Sequence, residues 1–484
     1  MRTPTMNNIW KFYKNSNIFI TGATGFLGKA LVEKLLRSCD GLDSIYLLVR
    51  PKRGMTVEQR LKELFKNPAI GYEKNVKIIF NKIREKNPDA FEKVKAVSGD
   101  VSFPDLGISE ADRQILIESV NIVFHSAATL KRYDYLFLFI CRFDEDLKNA
   151  VTLNTLGTKR VIQLCKEIKY LKSFVHVSTA FSNSDKESVE ETVYKPPCDP
   201  DDIINCMELL PKEAMDILEK KLLRKHPNTY TLTKAMAEYI VLENSAVIPS
   251  AVVRPSIITA AWKEPYPGWV DNVSGVTGIF MECGRGTIKT VICDENCRGD
   301  LIPVDTVVNT LITAAWHTVA HTSNTMRVYN CTSGCINPIT WKEFRQLTQT
   351  YSLEYPSKHV TWYPGFTYRT NRVMHAIYAT VYHTIPSALL DLYLCCTKRK
   401  PIMLKISRKF YNALNAVSFF STRQWDFKMA TMKELVDAVK RAEDGQYFEV
   451  DLRKSNGFSW NNYMRDFMVG VRKYVLKDDL SSLD

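Results

Sequence analysis

No arginine-rich tract and no zinc-finger spacing occurs in this 484-residue chain, which removes the usual sequence signs of nucleic-acid binding. No apolar stretch between Met1 and Asn17 resembles the core of a secretory leader. The 12 cysteines are therefore expected as thiols in a reducing compartment. Cys293-x-x-x-Cys297 and Cys331-x-x-x-Cys335 resemble two halves of a metal site. Zinc knuckles use tighter spacing, however, and no histidine completes the set, so no metal is expected. No uninterrupted run of about 20 apolar residues is present, as a spanning helix requires. The richest stretch, Met374 to Cys396, is broken by His375, His383, Pro386 and Asp391.

What is present is an ordinary globular composition, 45% hydrophobic and 24% charged, long enough for about two or three domains. The formal charge is +12, so anionic partners are favoured: a phosphorylated ligand or a membrane surface first.

Asn17 to Ile20 is a short apolar run, and Ala30 to Leu36 has helical periodicity. Gly22, Gly25 and Gly28 fall on the turn between them in Thr21-Gly-Ala-Thr-Gly-Phe-Leu-Gly28. This strand–turn–helix pattern holds a dinucleotide pyrophosphate: Gly22 allows the turn, Gly25 the close backbone approach, Gly28 the packing of helix on strand. Thr24, Phe26 and Leu27 join the binding segment at the helix amino terminus. The next strand, Ser44 to Val49, ends at Arg50, with Lys52 and Arg53 following. A carboxylate there would bind the 2′-hydroxyl of NAD, whereas cations accommodate the 2′-phosphate of NADP, so NADPH is expected. A third strand ends near Gly99-Asp100-Val101, with Asp100 directed toward the adenine. A fourth, Asn121 to Ala128, brings the small residues Ala127 and Ala128 close to the cofactor. His125 reads as a hydrogen-bonded core histidine. Strands alternating with helices give an α/β fold, a Rossmann-type doubly wound parallel sheet.

Ser173 to Val177 reads as a strand ending in Ser178-Thr179, where such sheets bind ligands. Tyr230 and Lys234 are four apart and share one helix face. A phenol of pKa ~10 is a poor proton donor–acceptor at neutral pH, and an ammonium one turn away favours its phenolate. Ser178 or Thr179 with Tyr230 would hold a carbonyl oxygen during hydride transfer, and Tyr230 would protonate the alkoxide. Lys234 also reaches the nicotinamide ribose. Ala251 to Ser256 reads as a further strand.

With these residues in place, the chain resembles the fatty acyl-CoA reductases, a branch of the extended short-chain dehydrogenase/reductases with an insect-like flavour. The likeness runs from about residue 12 to 475 and includes Phe124-His-Ser-Ala-Ala128, Val175-His-Val-Ser-Thr179 and His226-Pro-Asn-Thr-Tyr-Thr-Leu-Thr-Lys234. Val253-Arg-Pro-Ser-Ile-Ile-Thr-Ala-Ala-Trp-Lys-Glu-Pro265 and Pro267-Gly-Trp269 are the most family-specific runs. The resemblance implies a long-chain acyl-CoA substrate, NADPH, and a fatty alcohol released after two hydride transfers through an aldehyde. It also implies a reductase domain over 12–355, a mostly helical domain over 360–476 and a tail over 477–484. Longer members carry an apolar anchor beyond the equivalent of Tyr474-Val-Leu-Lys477; this sequence has neither that nor a Ser-Lys-Leu ending. Peripheral contact with the cytosolic face of an intracellular membrane, peroxisome or endoplasmic reticulum, is the expectation.

Segments 183–226 and 262–303 are expected to face substrate as a lid, with Lys263, Arg285, Lys289 and Arg298 near CoA phosphates. Met374 to Cys396 reads either as two amphipathic helices hinged at Pro386, with Lys398, Arg399 and Lys400 at lipid head groups, or as a core helix pair. Lys131 to Cys141 departs from the family pattern. Its residues can be encoded by splice-donor and splice-acceptor patterns, which reads as a retained intron or mispredicted exon edge, the alternative being an apolar flap over the acyl tunnel. Two rival readings accompany the main one. An aldehyde-stopping or other extended-family reductase would differ in its product, and a non-catalytic acyl-CoA or NADPH scaffold would bind cofactor without turnover.

Overall fold

The computed structural model describes residues 7–51, 54–65, 79–128, 145–223, 226–320 and 325–478. Lys52, Arg53 and the Lys131–Cys141 segment lie outside these residues. Its centre is a parallel sheet of β1 (Asn17–Thr21), β2 (Ser44–Val49), β3 (Val94–Ser98), β4 (Ile122–His125), β5 (Ser173–Val177), β6 (Ser250–Pro255) and β7 (Arg327–Cys331). The spatial order is β7-β6-β5-β4-β1-β2-β3. β2, β4, β5 and β6 are buried along their whole length, as expected of strands covered on both faces. The order reverses between β1 and β4, where Thr21 is in register with both Leu48 and His125. That is the crevice in which doubly wound sheets bind ligands.

Helices α1 (Phe26–Ser38) and α4 (Val304–Ala320) pack together on one face of the sheet, and α2 (Gly157–Glu167) and α3 (Thr229–Asn244) on the other. β7 is absent from the sequence reading. Arg327-Val-Tyr-Asn-Cys, with Arg327 and Asn330 breaking its apolar positions, does not announce a strand, and parallel pairing with β6 after the α4 crossover makes it one.

The two segments expected to form a lid are not open loops. Residues 183–226 fold into helices Pro200–Leu209 and Lys212–Leu222, and 262–303 into helix Val276–Gly284 and three short strands.

The carboxyl-terminal part contains α5 (Arg372–Ala379), α6 (Ile385–Cys396), α7 (Met403–Ser421), α8 (Ala430–Arg441) and α9 (Trp460–Gly470). It does not fold around a core of its own. Leu414, Leu435, Met464 and Phe467 join one buried apolar cluster with Ile18, Val253 and Leu311 of the sheet layers. The Tyr463 hydroxyl bonds Thr259 at 2.7 Å and donates to the Ala260 carbonyl at 2.7 Å. Asp444 accepts from the N–H groups of Ile9 and Trp10, tying the two ends of the chain together.

No sharp hinge forms at Pro386. The α5–α6 arm stays helical through a wide π-type turn at Thr380–Thr384. Proline lacks an N–H and crowds the preceding turn, which a π turn accommodates. The core-pair alternative does not fit, because α5 and α6 bury only His375, Ala379 and Asp391. No helix among the described residues is long and apolar enough to cross a membrane.

Candidate active site

The dinucleotide end is built on contacts too close for side chains. Gly22 has φ +76°, and a Cβ there would lie 2.7 Å from the Ala127 nitrogen and the Ser126 carbonyl. At Gly28 it would lie 2.4 Å from the Gly22 oxygen. Gly22 thus lets the β1–α1 turn lie against the end of β4, and Gly28 lets α1 pack back on the turn itself. Gly25 precedes α1 with no side-chain cap, so the first N–H groups of the helix, from Phe26 on, are those a pyrophosphate accepts from. Thr24 is exposed at the mouth, and Phe26 and Leu27 are half-buried, Phe26 stacked on Trp269 at 5.2 Å. The cradle therefore fits a dinucleotide.

Thr21, which the sequence reading passed over, knits the switch point. Its Oγ1 bonds His125 Nδ1 at 2.7 Å and accepts from the Ala127 N–H at 3.2 Å, and its carbonyl accepts from the Ser126 hydroxyl at 2.8 Å. His125 Nε2 bonds Thr158 at 3.0 Å, so this histidine is a satisfied core group. Ala128 is exposed beside it. Asp100 accepts from the Ser102 N–H at 2.9 Å and lies 3.9 Å from the exposed Arg50 guanidinium. Val101 is buried, its side chain against Gly157 of α2 and its carbonyl accepting from Arg160. Val101 thus packs a helix onto the sheet, while Arg50 stands at the end of β2 as a cation in solvent.

The second group lies at the end of β5. Asn228 caps α3 by accepting from the Thr231 N–H at 2.9 Å, which starts the helix just before Tyr230. Tyr230, Lys234 and Glu238 follow at four-residue steps, so one face of α3 carries all three. The fully buried Lys234 ammonium donates to the Val177 carbonyl at 2.8 Å. Burial pushes it down to about 8, the Glu238 carboxylate partly opposing. Beneath it, burial and then Lys234 hold both His125 and His176 neutral, His125 down to about 3.

Glu238 is the residue that sequence reasoning missed. It accepts hydrogen bonds from Ser178 and Ser182, and pairs with Arg254 of β6 through contacts of 2.6 and 2.9 Å. Both charges are essentially excluded from water. Arg254 also donates to the Glu190 and Thr192 carbonyls. The signal available was position: Glu238 follows Lys234 by one turn, and Arg254 interrupts an otherwise apolar strand.

This network separates the two candidate hydroxyls. Ser178 gives its proton to Glu238. Thr179 begins the turn Ala180–Asn183 and accepts from the Phe181 N–H at 3.3 Å, and its own proton has no acceptor among the described residues.

The four cations expected at CoA phosphates all have partners within the molecule. Lys263 lies over the Trp262 ring at 3.8 Å, Arg285 pairs with Glu282, Lys289 donates to the Tyr363 carbonyl, and Arg298 to those of Gly334 and Trp425. Of the paired cysteines, Cys331 bonds Thr310 and Cys335 bonds Asp426, each at 3.4 Å.

Two family models, each described as male sterility protein, match residues 20–311 and 382–478. The chain is 37% identical to fatty acyl-CoA reductase 1 of Rattus norvegicus over 478 residues, 99% of this chain and 88% of the rat protein. It is 36% identical to fatty acyl-CoA reductase 2 of Bos taurus, with the same shares covered. Among solved structures, the reductase domain of a nonribosomal peptide synthetase from Mycobacterium tuberculosis superposes with TM-score 0.60 at 19% identity, covering 95% of this chain and 92% of that one. That likeness bears on the fold.

Proposed function

We propose that this chain, which belongs to the fatty acyl-CoA reductase family, reduces long-chain acyl-CoA to the primary fatty alcohol with NADPH. One observation carries the reading: the α3 face bearing Tyr230 is bonded to the end of β5 at two successive residues, Lys234 to Val177 and Glu238 to Ser178. On this reading Tyr230, one turn earlier on the same face of α3, works together with Thr179.

The Gly22–Gly28 turn, the α1 amino terminus and Lys234 would hold NADPH, with Arg50 at its 2′-phosphate. Bound there, the dinucleotide supplies the hydride for each reduction. Thr179 and Tyr230 hold the thioester oxygen, and Tyr230 protonates it as charge develops. Collapse of the resulting hemithioacetal expels CoA as thiolate, and the aldehyde is reduced in the same site by the same two residues. Lys234 keeps the phenol able to give and regain a proton. In this reading residues 12–355 carry the chemistry, with 183–226 and 262–303 facing substrate and 360–476 as the helical partner. The protein works peripherally at the cytosolic face of an intracellular membrane, of the peroxisome or endoplasmic reticulum.

The test is NADPH oxidation by the purified chain with stearoyl-CoA, products identified by mass spectrometry. Two NADPH consumed per fatty alcohol are expected, and Tyr230→Phe should lower kcat by about 10²–10⁴-fold. Aldehyde as the end product overturns the alcohol-forming reading, and undiminished turnover by Tyr230→Phe overturns the assignment of the acid.

A further inference from the structure

We infer that the α5–α6 arm and the amino-terminal half of α7 form a docking surface for an anionic lipid leaflet, lying in its plane without crossing it. The inference deepens the acyl-CoA reading by naming the partner surface, and its binding test does not depend on catalysis.

The arm runs from Arg372 to Cys396, about 37 Å at 1.5 Å per residue. One side is fixed to the protein. His375 stacks on Tyr411 and bonds Thr290 at 3.1 Å, and His383 accepts from the Lys289 N–H at 3.0 Å. The other side is apolar and open: Ile377, Val381, Leu389, Leu390, Leu392 and Tyr393 are 47–63% exposed. Further exposed apolar residues, from Val373 to Leu404, extend the same stretch. Soluble surfaces scatter such residues singly, whereas a contiguous stretch marks an interaction face.

Charge identifies the partner. Between Tyr355 and Trp425 the sole acidic residue is Asp391, against Lys358, Arg369, Arg372, Lys398, Arg399, Lys400, Lys405, Arg408, Lys409 and Arg423. Asp391 is itself spent on backbone, accepting from the N–H groups of Ile402, Met403 and Leu404 at 2.7–2.9 Å. These bonds fold the 397–402 turn back onto α6 and start α7, so the exposed Lys398, Arg399 and Lys400 stand at the end of the apolar arm. An apolar stripe bordered by cations is what an anionic bilayer interface selects. A second protein copy would need acidic groups to meet these cations, and this face has none to offer in a symmetric pairing.

The surface also connects to the site. α7 spans about 28 Å from its basic end to Phe419 and Phe420. There Phe420 meets Phe181 edge-on at 5.1 Å, two residues beyond Thr179. A lipid leaflet is where long acyl chains gather, each buried methylene favouring it by ~0.8 kcal/mol. Docking through this face therefore holds the reductase against the phase in which substrate and product concentrate.

The test is co-sedimentation of the full chain with phosphatidylcholine vesicles, with and without phosphatidylserine. The chain should pellet with the anionic vesicles and be released by salt. A Lys398→Ser/Arg399→Ser/Lys400→Ser variant should bind them about a hundredfold more weakly. Leu389→Gln/Leu392→Gln/Tyr393→Gln should stay in the supernatant. Turnover of soluble octanoyl-CoA by both variants, equal to that of the parent, reports that they are folded. Wild-type protein left in the supernatant, or unimpaired pelleting of both variants, overturns the proposal. So does a solution dimer that the apolar substitutions abolish, since a second copy would then cover the face. Absence of turnover of both octanoyl-CoA and stearoyl-CoA by the parent, with vesicle binding intact, would sink the reductase reading alone.

Discussion

Lys234 shows how a site residue acts against the fold that holds it. An ammonium removed from water and given one carbonyl and one carboxylate neighbour titrates near 8 instead of 10.5. Its folded value is depressed, so the full cost of burying the charge is present below about pH 8. As pH rises from 8 toward 10.5 the folded chain loses the proton while the unfolded chain keeps it, and the cost disappears. The shift corresponds to about 3 kcal/mol. Lys234→Met should therefore raise the urea midpoint at pH 7 while abolishing turnover, with the stability gain shrinking above pH 8. A variant less stable than the parent at pH 7 would contradict this account. The same titration acts on rate. If the charged lysine supports the phenol, kcat/KM should fall as pH rises through about 8, and a flat profile from 7 to 9 would argue against that role.

At the scale of elements, α3 is coupled to β5 and β6 through one carboxylate. Glu238 holds the strand end through Ser178, the following turn through Ser182 and the neighbouring strand through Arg254. Removing it would leave a buried guanidinium without its counter-charge, a loss of about 3–5 kcal/mol. Glu238→Ala should lower stability by that order in urea unfolding. Glu238→Gln, which keeps the shape, should retain more of the fold yet lower kcat more than it raises KM, because α3 would no longer be fixed relative to Thr179. An alanine variant as stable as the parent would show that the network does not tie these elements.

For the whole molecule, the distribution of the core predicts cooperativity. The α9 residues Tyr463, Met464 and Phe467 pack into the same apolar cluster as the sheet, and Asp444 caps the helix Ile9–Tyr13. A fragment ending at residue 359 would expose the apolar faces that α8 and α9 cover. It should lack a cooperative unfolding transition and bind a hydrophobic dye such as ANS, as loosely packed states do. A sharp, two-state transition in that fragment would show that the sheet layers stand alone.

The local features were legible along the chain because each depends on near neighbours. The turn at Gly22 to Gly28 needs residues without side chains at fixed steps, and Tyr230 and Lys234 share a face because helices repeat every 3.6 residues. Six of the seven central strands could be read along the chain, and the satisfied state of His125 could be expected from its setting in β4. The sequence could not rank Ser178 against Thr179, since that depends on Glu238 arriving from 60 residues away to take one hydroxyl. Nor could it show that Arg327–Cys331 pairs as a strand, or that four basic residues of the 262–303 segment find partners inside the molecule. Whether α5 and α6 lie in a core or face outward was likewise undecided by their composition. Apolar content is the same in either case, and only packing against the rest of the chain determines which side is covered.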